Sequence, residues 1–191
     1  PKFVGRNSLV ILSSFSGSTE EVLFAGKEVV KTGAKVVSLS SGGKLETFAK
    51  KHKIPHHKIV PGGVQKAPRL GVGLSMVAVM KFLSVAGYMK LSKSRLDRMV
   101  AAMAEVIDTC NVDVPQKDNP AKLVAAGLKD RIVYVVGAEH LEGGAHIIVN
   151  QINETAKQLA VWHVLPELNH HFLEGTEYPD GAFETFTILM I

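Results

Sequence analysis

Short apolar runs alternate with helical patterns in the first sixty residues, and this alternation most limits the possible folds. Residues 9–12 form a continuous apolar run, and residues 19–32 then carry apolar positions at helical spacing. The next cycle has a predicted strand at 36–39, a short helix at 44–52 and a brief strand at Ile59-Val60. Strands buried on both faces need helices on either side, so the pattern predicts an α/β fold with a parallel sheet.

The pattern changes in the middle of the chain and then returns. Residues 70–109 carry apolar positions at helical spacing throughout, whereas residues 111–120 are largely polar and contain two prolines. A second α/β cycle has a strand at 132–136 and a helix at 141–159. We place a further helix and further strands at 121–129, 161–165 and 185–190. Two similar α/β units joined by helices are the simplest architecture, with boundaries at 1–66, 67–124 and 125–191.

Composition excludes several classes of protein. With 191 residues and 46% hydrophobic content, the chain has ample apolar material for one or two domains. Cys110 is the only cysteine, which excludes an internal disulfide and a cysteine zinc site and suits a reducing cytoplasm. The net charge of +4 is small, and the densest basic cluster, at 50–58, lacks interleaved aromatic residues. We therefore expect no nucleic-acid partner.

A membrane span is a second possibility that the sequence disfavours. Residues 70–89 are apolar and long enough to cross a bilayer. Lys81 falls near the centre of this stretch, where a charge is costly. Glycine and other small residues fit a helix packed within the protein equally well, so we expect no membrane partner.

The stretch SSFSGSTEEV at 13–22 has more hydroxyl side chains than a strand-to-helix turn requires. Ser18 and Glu21 have the spacing of a capping box. Three further hydroxyls remain unassigned: Ser14, Ser16 and Thr19. They follow a buried strand, where ligands of open parallel sheets usually bind, and Gly17 permits close approach to helix N–H groups. The loop is either a phosphate cradle or an ordinary turn, and without a Walker lysine a monophosphate ester fits it best.

Two polar segments lie in the second unit. NQINETAK, at 150–157, places four polar side chains on one helix face, which is either functional or merely solvated: Asn150, Asn153, Glu154 and Lys157. PELNHHFLEG, at 166–175, follows a buried strand with a carboxylate, an amide and two imidazoles. A metal site would need Glu167, His170 and His171 in a strained local arrangement, so we expect no metal or other cofactor.

Together these segments resemble a known family. Residues 14–21 are similar to the S-Y-S-G-N-T-E-E phosphate loop of sugar isomerase (SIS) domains. Pro68-Arg69, after the PGGVQ segment at 61–65, and residues 153–157 and 166–171 match, in order, the archaeal and bacterial bifunctional phosphoglucose/phosphomannose isomerases. Glu154 and His170 are 16 positions apart, as is the catalytic pair of that family. Three positions depart from the family pattern: Phe15, Ser18 and His171.

The resemblance covers nearly the whole chain but only the middle of a family member. It implies the C-terminal part of a first SIS domain at 1–66, a helical connector at 67–124 and the N-terminal part of a second SIS domain at 125–191. We expect an interior segment of a longer protein, because the chain begins at Pro1 and stops within the apolar run FTILMI.

The resemblance also implies a reaction, the interconversion of glucose 6-phosphate, and of mannose 6-phosphate, with fructose 6-phosphate. Glu154 would carry a proton between C1 and C2 of the sugar. His170 would assist ring opening from the other subunit of a homodimer, and Arg69 would stabilise developing negative charge. The phosphate would be held by the hydroxyl loop: Ser14, Ser16, Gly17 and Thr19.

Two other functions stay open at this point. A non-catalytic SIS module that senses a sugar phosphate and regulates a partner would keep the hydroxyl loop. Only an enzyme needs a carboxylate at Glu154 and an imidazole at His170, so their presence favours catalysis. An SIS isomerase for another sugar phosphate is disfavoured by the NETAK and PELNHH segments.

Overall fold

The computed structural model describes residues 2–62 and 67–191, which divide into two compact units at Leu96 and Asp97. Each unit contains a three-stranded parallel sheet with flanking helices. The prediction of an α/β fold with two parallel-sheet units is therefore confirmed. The finer division, with a separate connector at 67–124, stays a prediction.

The first sheet has the strand order β1-β2-β3, with β1 at Leu9–Ser13, β2 at Lys35–Ser40 and β3 at His56–Lys58. Helices α1 (Glu20–Val29) and α2 (Gly43–His52) make the two crossover connections. The prediction of a strand at Ile59-Val60 is wrong. The third strand begins earlier, at histidines that pair with β2, and a search for apolar runs passes over such residues.

Helices cover both faces of the first sheet. On one face, α1 and α2 enclose Leu12, Val29 and Leu45. On the other face, Ala78 of α3 (Val72–Val85) packs with Leu39 and the residue after β3, Ile59. This two-sided burial explains why the central residues of β1 are all apolar and why those of β2 are apolar apart from Ser38.

The second unit is built around a central strand, β4 at Ile132–Ala138, in a sheet of order β5-β4-β6. Val133 and Val135 are fully buried and pack with Ala145 and Val149. The remaining elements follow the chain: α4 (Lys93–Cys110, which begins in the first unit), α5 (Pro120–Leu128), α6 (Glu142–Gln151), β5 (Ala160–Leu165), α7 (Ala182–Thr185) and β6 (Phe186–Met190).

Two predicted helices are shorter than expected. The continuous helix predicted at 70–109 is divided into α3 and α4, because Gly87 adopts a positive φ of 85° between them. The helix predicted at 141–159 is replaced by a 3-10 turn, the ten residues of α6 and a π-helical turn at Ile152–Ala156.

By length and hydropathy alone, the helical stretch Pro68–Val85 would be able to cross a membrane. Some of its apolar side chains are used in the core of the first unit. Ala78, Val79 and Phe82 contact the first sheet and contribute to its core.

Two loops interlock at the carboxyl edge of the first sheet. One is the hydroxyl loop, which we define as residues 13–19, from the last residue of β1 to the N-cap of α1. The other is the bracing loop, residues 40–45, from the last residue of β2 into the first turn of α2. The amide of Leu45 donates to the Gly17 carbonyl at 2.8 Å, and the amide and hydroxyl of Ser41 donate to the Phe15 carbonyl at 2.8 and 2.7 Å. These hydrogen bonds fix the backbone of the hydroxyl loop against its neighbour.

Glycines allow the two loops to approach this closely. Gly17 has a φ of 70°, and a Cβ there would collide with the Gly42 carbonyl oxygen. A Cβ on Gly43 would lie 2.6 Å from the Ser16 carbonyl oxygen, also too close. The contact therefore requires a glycine in each loop, Gly17 in the hydroxyl loop and Gly43 in the bracing loop.

We expect Gly17→Ala to lower the free energy of unfolding of the first unit by about 2 to 4 kcal/mol, because a side chain there combines positive-φ strain with a backbone collision. Hydrogen exchange of the β1 and β2 amides measures this loss. Gly62→Ala is the matched control, since no atom of residues 2–62 and 67–191 lies within 4 Å of a Cβ at that position. A loss below about 1 kcal/mol for Gly17→Ala would contradict the described packing.

Candidate functional site

The four residues predicted to bind phosphate lie together in the hydroxyl loop. The hydroxyls of Ser14 and Thr19 are 2.7 Å apart, and the amide of Gly17 donates to Ser14 Oγ at 3.0 Å. Ser16 Oγ accepts from the Ser18 amide at 3.2 Å. Ser14 and Gly17 are buried, whereas Ser16 and Thr19 are exposed. The loop is thus a pre-formed turn with hydroxyls at its surface.

The predicted capping box at Ser18 and Glu21 is wrong. The helix α1 begins at Glu20, its N-cap is Thr19, and the Thr19 side chain makes no capping hydrogen bond. The Thr19 hydroxyl contacts Ser14 instead. Backbone N–H groups in the first turn of a helix have no intrahelical acceptor, and they form the type of end that attracts anions.

Arg69 lies in the first unit, in a 3-10 turn at Pro68–Gly71. Arg69 is half-buried. The ring of Phe15 packs so closely on Gly71 that a Cβ there would collide with it. Phe15, in the middle of the hydroxyl loop, therefore holds the Arg69 turn beside that loop. Most of the preceding PGGVQ segment, residues 63–65, lies outside the described residues.

Glu154 lies in the second unit, in the π-helical turn after α6, with an exposed side chain. The adjacent residue, Asn153, joins this turn to β5. Its Nδ2 donates to the carbonyls of Val149 and Ala160 at 3.1 and 2.9 Å, and its Oδ1 accepts from the Ala160 amide at 3.2 Å. Asn153 therefore fixes the backbone on which Glu154 is carried.

The predicted polar face of a regular helix at 150–157 is wrong. Asn153 turns toward β5. Lys157 adopts a left-handed conformation with a φ of 60°, and its Nζ donates to the Glu154 carbonyl at 2.8 Å. Lys157 therefore ends the π-helical turn. A regular helix would instead place it about one turn after Glu154, on the same face.

His170 follows β5 and a 3-10 turn at Glu167–Asn169, and its side chain is exposed. The buried Leu168 anchors this turn. His171 Nδ1 lies 3.2 Å from Glu167 Oε1, and the rings of His170 and His171 are edge-on with centroids 5.9 Å apart. Within residues 2–62 and 67–191, no three His, Cys, Asp or Glu side chains are arranged to hold a metal ion.

A groove of about 800 Å³ lies on the surface of the first unit between α1 and α2. Leu23, Phe24 and Phe48 contribute apolar surface to it, and three lysines and two glutamates contribute charges of both signs. The four residues predicted to bind phosphate are not among those that line it. This groove is therefore distinct from the hydroxyl loop.

We expect Asn153→Ala to lower the free energy of unfolding of the second unit by about 2 to 3 kcal/mol, because three hydrogen bonds are lost and their backbone partners remain. Trp162, the only tryptophan, lies in β5 and reports this unit by fluorescence during urea unfolding. Asn150→Ala is the matched control on the exposed side of α6. Equal losses in the two variants would contradict the assigned role of Asn153.

The chain is similar to known proteins in sequence and in fold. Residues 117–191 match the family model of the bacterial phospho-glucose isomerase C-terminal SIS domain. A bifunctional phosphoglucose/phosphomannose isomerase of Caldicellulosiruptor bescii is 31% identical over 100% of this chain and 56% of its own length. The enzyme of the same name from Thermoplasma acidophilum is 34% identical over 90% of this chain and 49% of its own length. The chain thus spans about half the length of these relatives.

Solved structures show the same fold. A candidate phosphosugar isomerase of Bacillus subtilis has a TM-score of 0.63 at 20% identity, over 91% of this chain and 52% of its own. Tagatose-6-phosphate ketose/aldose isomerase of Escherichia coli has a TM-score of 0.57 at 16% identity, over 99% of this chain and 50% of its own. The resemblance to the SIS-domain bifunctional phosphoglucose/phosphomannose isomerase family is confirmed by these matches, which cover the chain and about half of each relative.

Proposed function

We propose that this protein is a sugar-phosphate isomerase that interconverts glucose 6-phosphate and fructose 6-phosphate, with mannose 6-phosphate as a second substrate. The observation that carries the proposal is the similarity, over the whole chain, to a relative named as a bifunctional phosphoglucose/phosphomannose isomerase. The exposed carboxylate of Glu154, on a turn fixed by Asn153, supports the proposal because the reaction needs a positioned base.

The phosphate group of the substrate binds at the hydroxyl loop. Ser16 and Thr19 present exposed hydroxyls, and the first turn of α1 presents backbone N–H groups. Ser14 fixes the turn by accepting from the Gly17 amide and contacting Thr19. Binding energy from the phosphate, which does not react, holds the sugar carbons in position for proton transfer.

The chemical steps are an opening of the sugar ring and a proton transfer. In ring opening, the hydroxyl on C1 loses a proton, the ring oxygen gains one, and the bond between C1 and the ring oxygen breaks; His170 assists this exchange. Glu154 then removes the proton from C2 of the open aldose, which gives a cis-enediolate with its negative charge on O1. A proton passes from the C2 hydroxyl to O1 through the cis-enediol, and Glu154 returns its proton to C1 to give the ketose. Arg69 stabilises the negative charge that develops on the oxygens.

The working form is a homodimer in the cytoplasm, with His170 supplied across the subunit interface. The use of a single cysteine suits a reducing compartment. The proton transfer needs neither a redox group nor a metal ion, so the proposal includes no cofactor.

We expect Glu154→Gln to lower kcat for fructose 6-phosphate formation about 10² to 10⁴-fold, because an amide cannot accept the C2 proton. Sugar-phosphate binding should survive the change. Coupled assays with glucose 6-phosphate and mannose 6-phosphate, together with calorimetric binding, measure both properties. Glu142→Gln, an exposed glutamate at the start of α6, is the matched control.

The same experiment tests the alternative function. Tight binding without turnover in the unmodified protein would favour a non-catalytic SIS module that senses a sugar phosphate. Turnover that is unchanged in Glu154→Gln would remove Glu154 from the mechanism. Activity with one sugar phosphate and not the other would narrow the substrate class.

A further inference from the structure

His56 lies beside two buried serines of the first sheet. The parallel register pairs it with Ser38, so the two side chains lie on the same face, and Ser40 lies on that face two residues further along. His56 Nδ1 is 2.9 Å from Ser38 Oγ, and His56 Nε2 is 3.4 Å from Ser40 Oγ. Both serines are fully buried, at 0% exposure, so their hydroxyls depend on partners within the protein.

Ser40 connects this imidazole to the bracing loop. Its hydroxyl donates to the Gly42 carbonyl at 2.7 Å and accepts from the Gly42 amide at 3.3 Å. The Gly42 carbonyl oxygen is the atom that would collide with a Cβ on Gly17. A chain of contacts therefore runs from His56 through Ser40 and Gly42 to the glycine of the hydroxyl loop.

The hydrogen bonds of this chain select one tautomer of His56. A serine hydroxyl has one hydrogen, and that of Ser40 is used on the Gly42 carbonyl. Ser40 Oγ can then only accept from the imidazole, so Nε2 carries the hydrogen. In the neutral ring Nδ1 is an acceptor, and the Ser38 hydroxyl donates to it at 2.9 Å.

We propose that His56, as the neutral Nε2–H tautomer, is a positioning residue. It holds the Ser40 hydroxyl on the Gly42 carbonyl and so fixes that carbonyl against Gly17 of the hydroxyl loop, where phosphate binds. This inference rests on the proposed function, because it assigns a consequence for phosphate binding. His56 touches neither the substrate nor the reacting atoms and acts through the bracing loop alone.

The surroundings of His56 favour its neutral form. Burial lowers the pKa of His56, and the charges of His57, Lys50 and Lys58 act in the same direction, whereas Glu46 opposes them. Protonation would convert Nδ1 from an acceptor into a donor, and the Ser38 hydroxyl would have to turn toward the Pro55 carbonyl, 3.4 Å away. The arrangement is therefore complete above the usual imidazole pKa and is lost as pH falls through the lowered value.

The test compares variants of His56 in the intact protein. His56→Phe keeps a ring of similar size but removes both hydrogen-bonding nitrogens, whereas His56→Gln keeps an N–H donor within reach of Ser40. Calorimetry with inorganic phosphate and steady-state kinetics with glucose 6-phosphate supply the readouts. His57→Phe is the control at the next residue, whose side chain is exposed.

We expect His56→Phe to raise the phosphate Kd and the KM about five- to tenfold, the effect of about one lost hydrogen bond, with kcat changed less than twofold. His56→Gln should recover at least half of this loss. The ratio of wild-type Kd to that of His56→Gln should rise as pH falls below the usual imidazole range, because only the histidine is protonated there. His57→Phe should bind phosphate like the wild type.

Three results would overturn the inference. If Ser14→Ala weakens phosphate binding but His56→Phe does not, the phosphate loop stands and the positioning role fails. If wild-type protein binds neither phosphate nor sugar phosphate, the proposed function and the inference both fail. If ¹⁵N NMR of the wild-type ring shows the Nδ1–H tautomer near neutral pH, the hydrogen-bond chain is wrong, and this result does not depend on any variant folding.

Discussion

Backbone contact between the hydroxyl loop and the bracing loop is the constraint on which the first unit's candidate site depends. Gly17 and Gly43 let carbonyl groups of the opposite loop approach where side chains would otherwise lie. The amides of Leu45 and Ser41 then hold the hydroxyl loop in place. The bonds between the two loops do not involve the hydroxyls of Ser16 and Thr19, whose hydrogen bonds lie within the hydroxyl loop, and both residues stay exposed at the surface.

The sequence predicts the location of this loop better than its internal bonding. A surplus of hydroxyls after an apolar run indicates the carboxyl edge of a parallel sheet, and the structure places the loop there. The capping box fails because α1 begins at Glu20, so that Thr19 rather than Ser18 is the N-cap. The Thr19 hydroxyl contacts Ser14 instead of a helix amide, and local spacing does not predict that contact. In the sequence, the Gly42-Gly43 pair after the second strand is the feature that could have indicated a close backbone approach by the bracing loop.

In the second unit, periodicity predicts the buried strands but not the turn that carries Glu154. Apolar runs predict β4 and β5 because burial on both faces requires them. A π-helical turn adds one residue to the helical repeat, so spacing rules for a regular helix misplace the side chains beyond Gln151. Asn153 decides this geometry through hydrogen bonds to Ala160 in β5, and such pairing has no periodic signal.

The start of α1 gives the hydroxyl loop a further property. The helix has no side-chain cap at Thr19, so its first backbone N–H groups lack the partner that a capping serine or aspartate would supply. If phosphate binds there as proposed, the ligand itself supplies that cap. Substrate binding and completion of the helix would then be one event, and the end of α1 would be most ordered when the site is occupied.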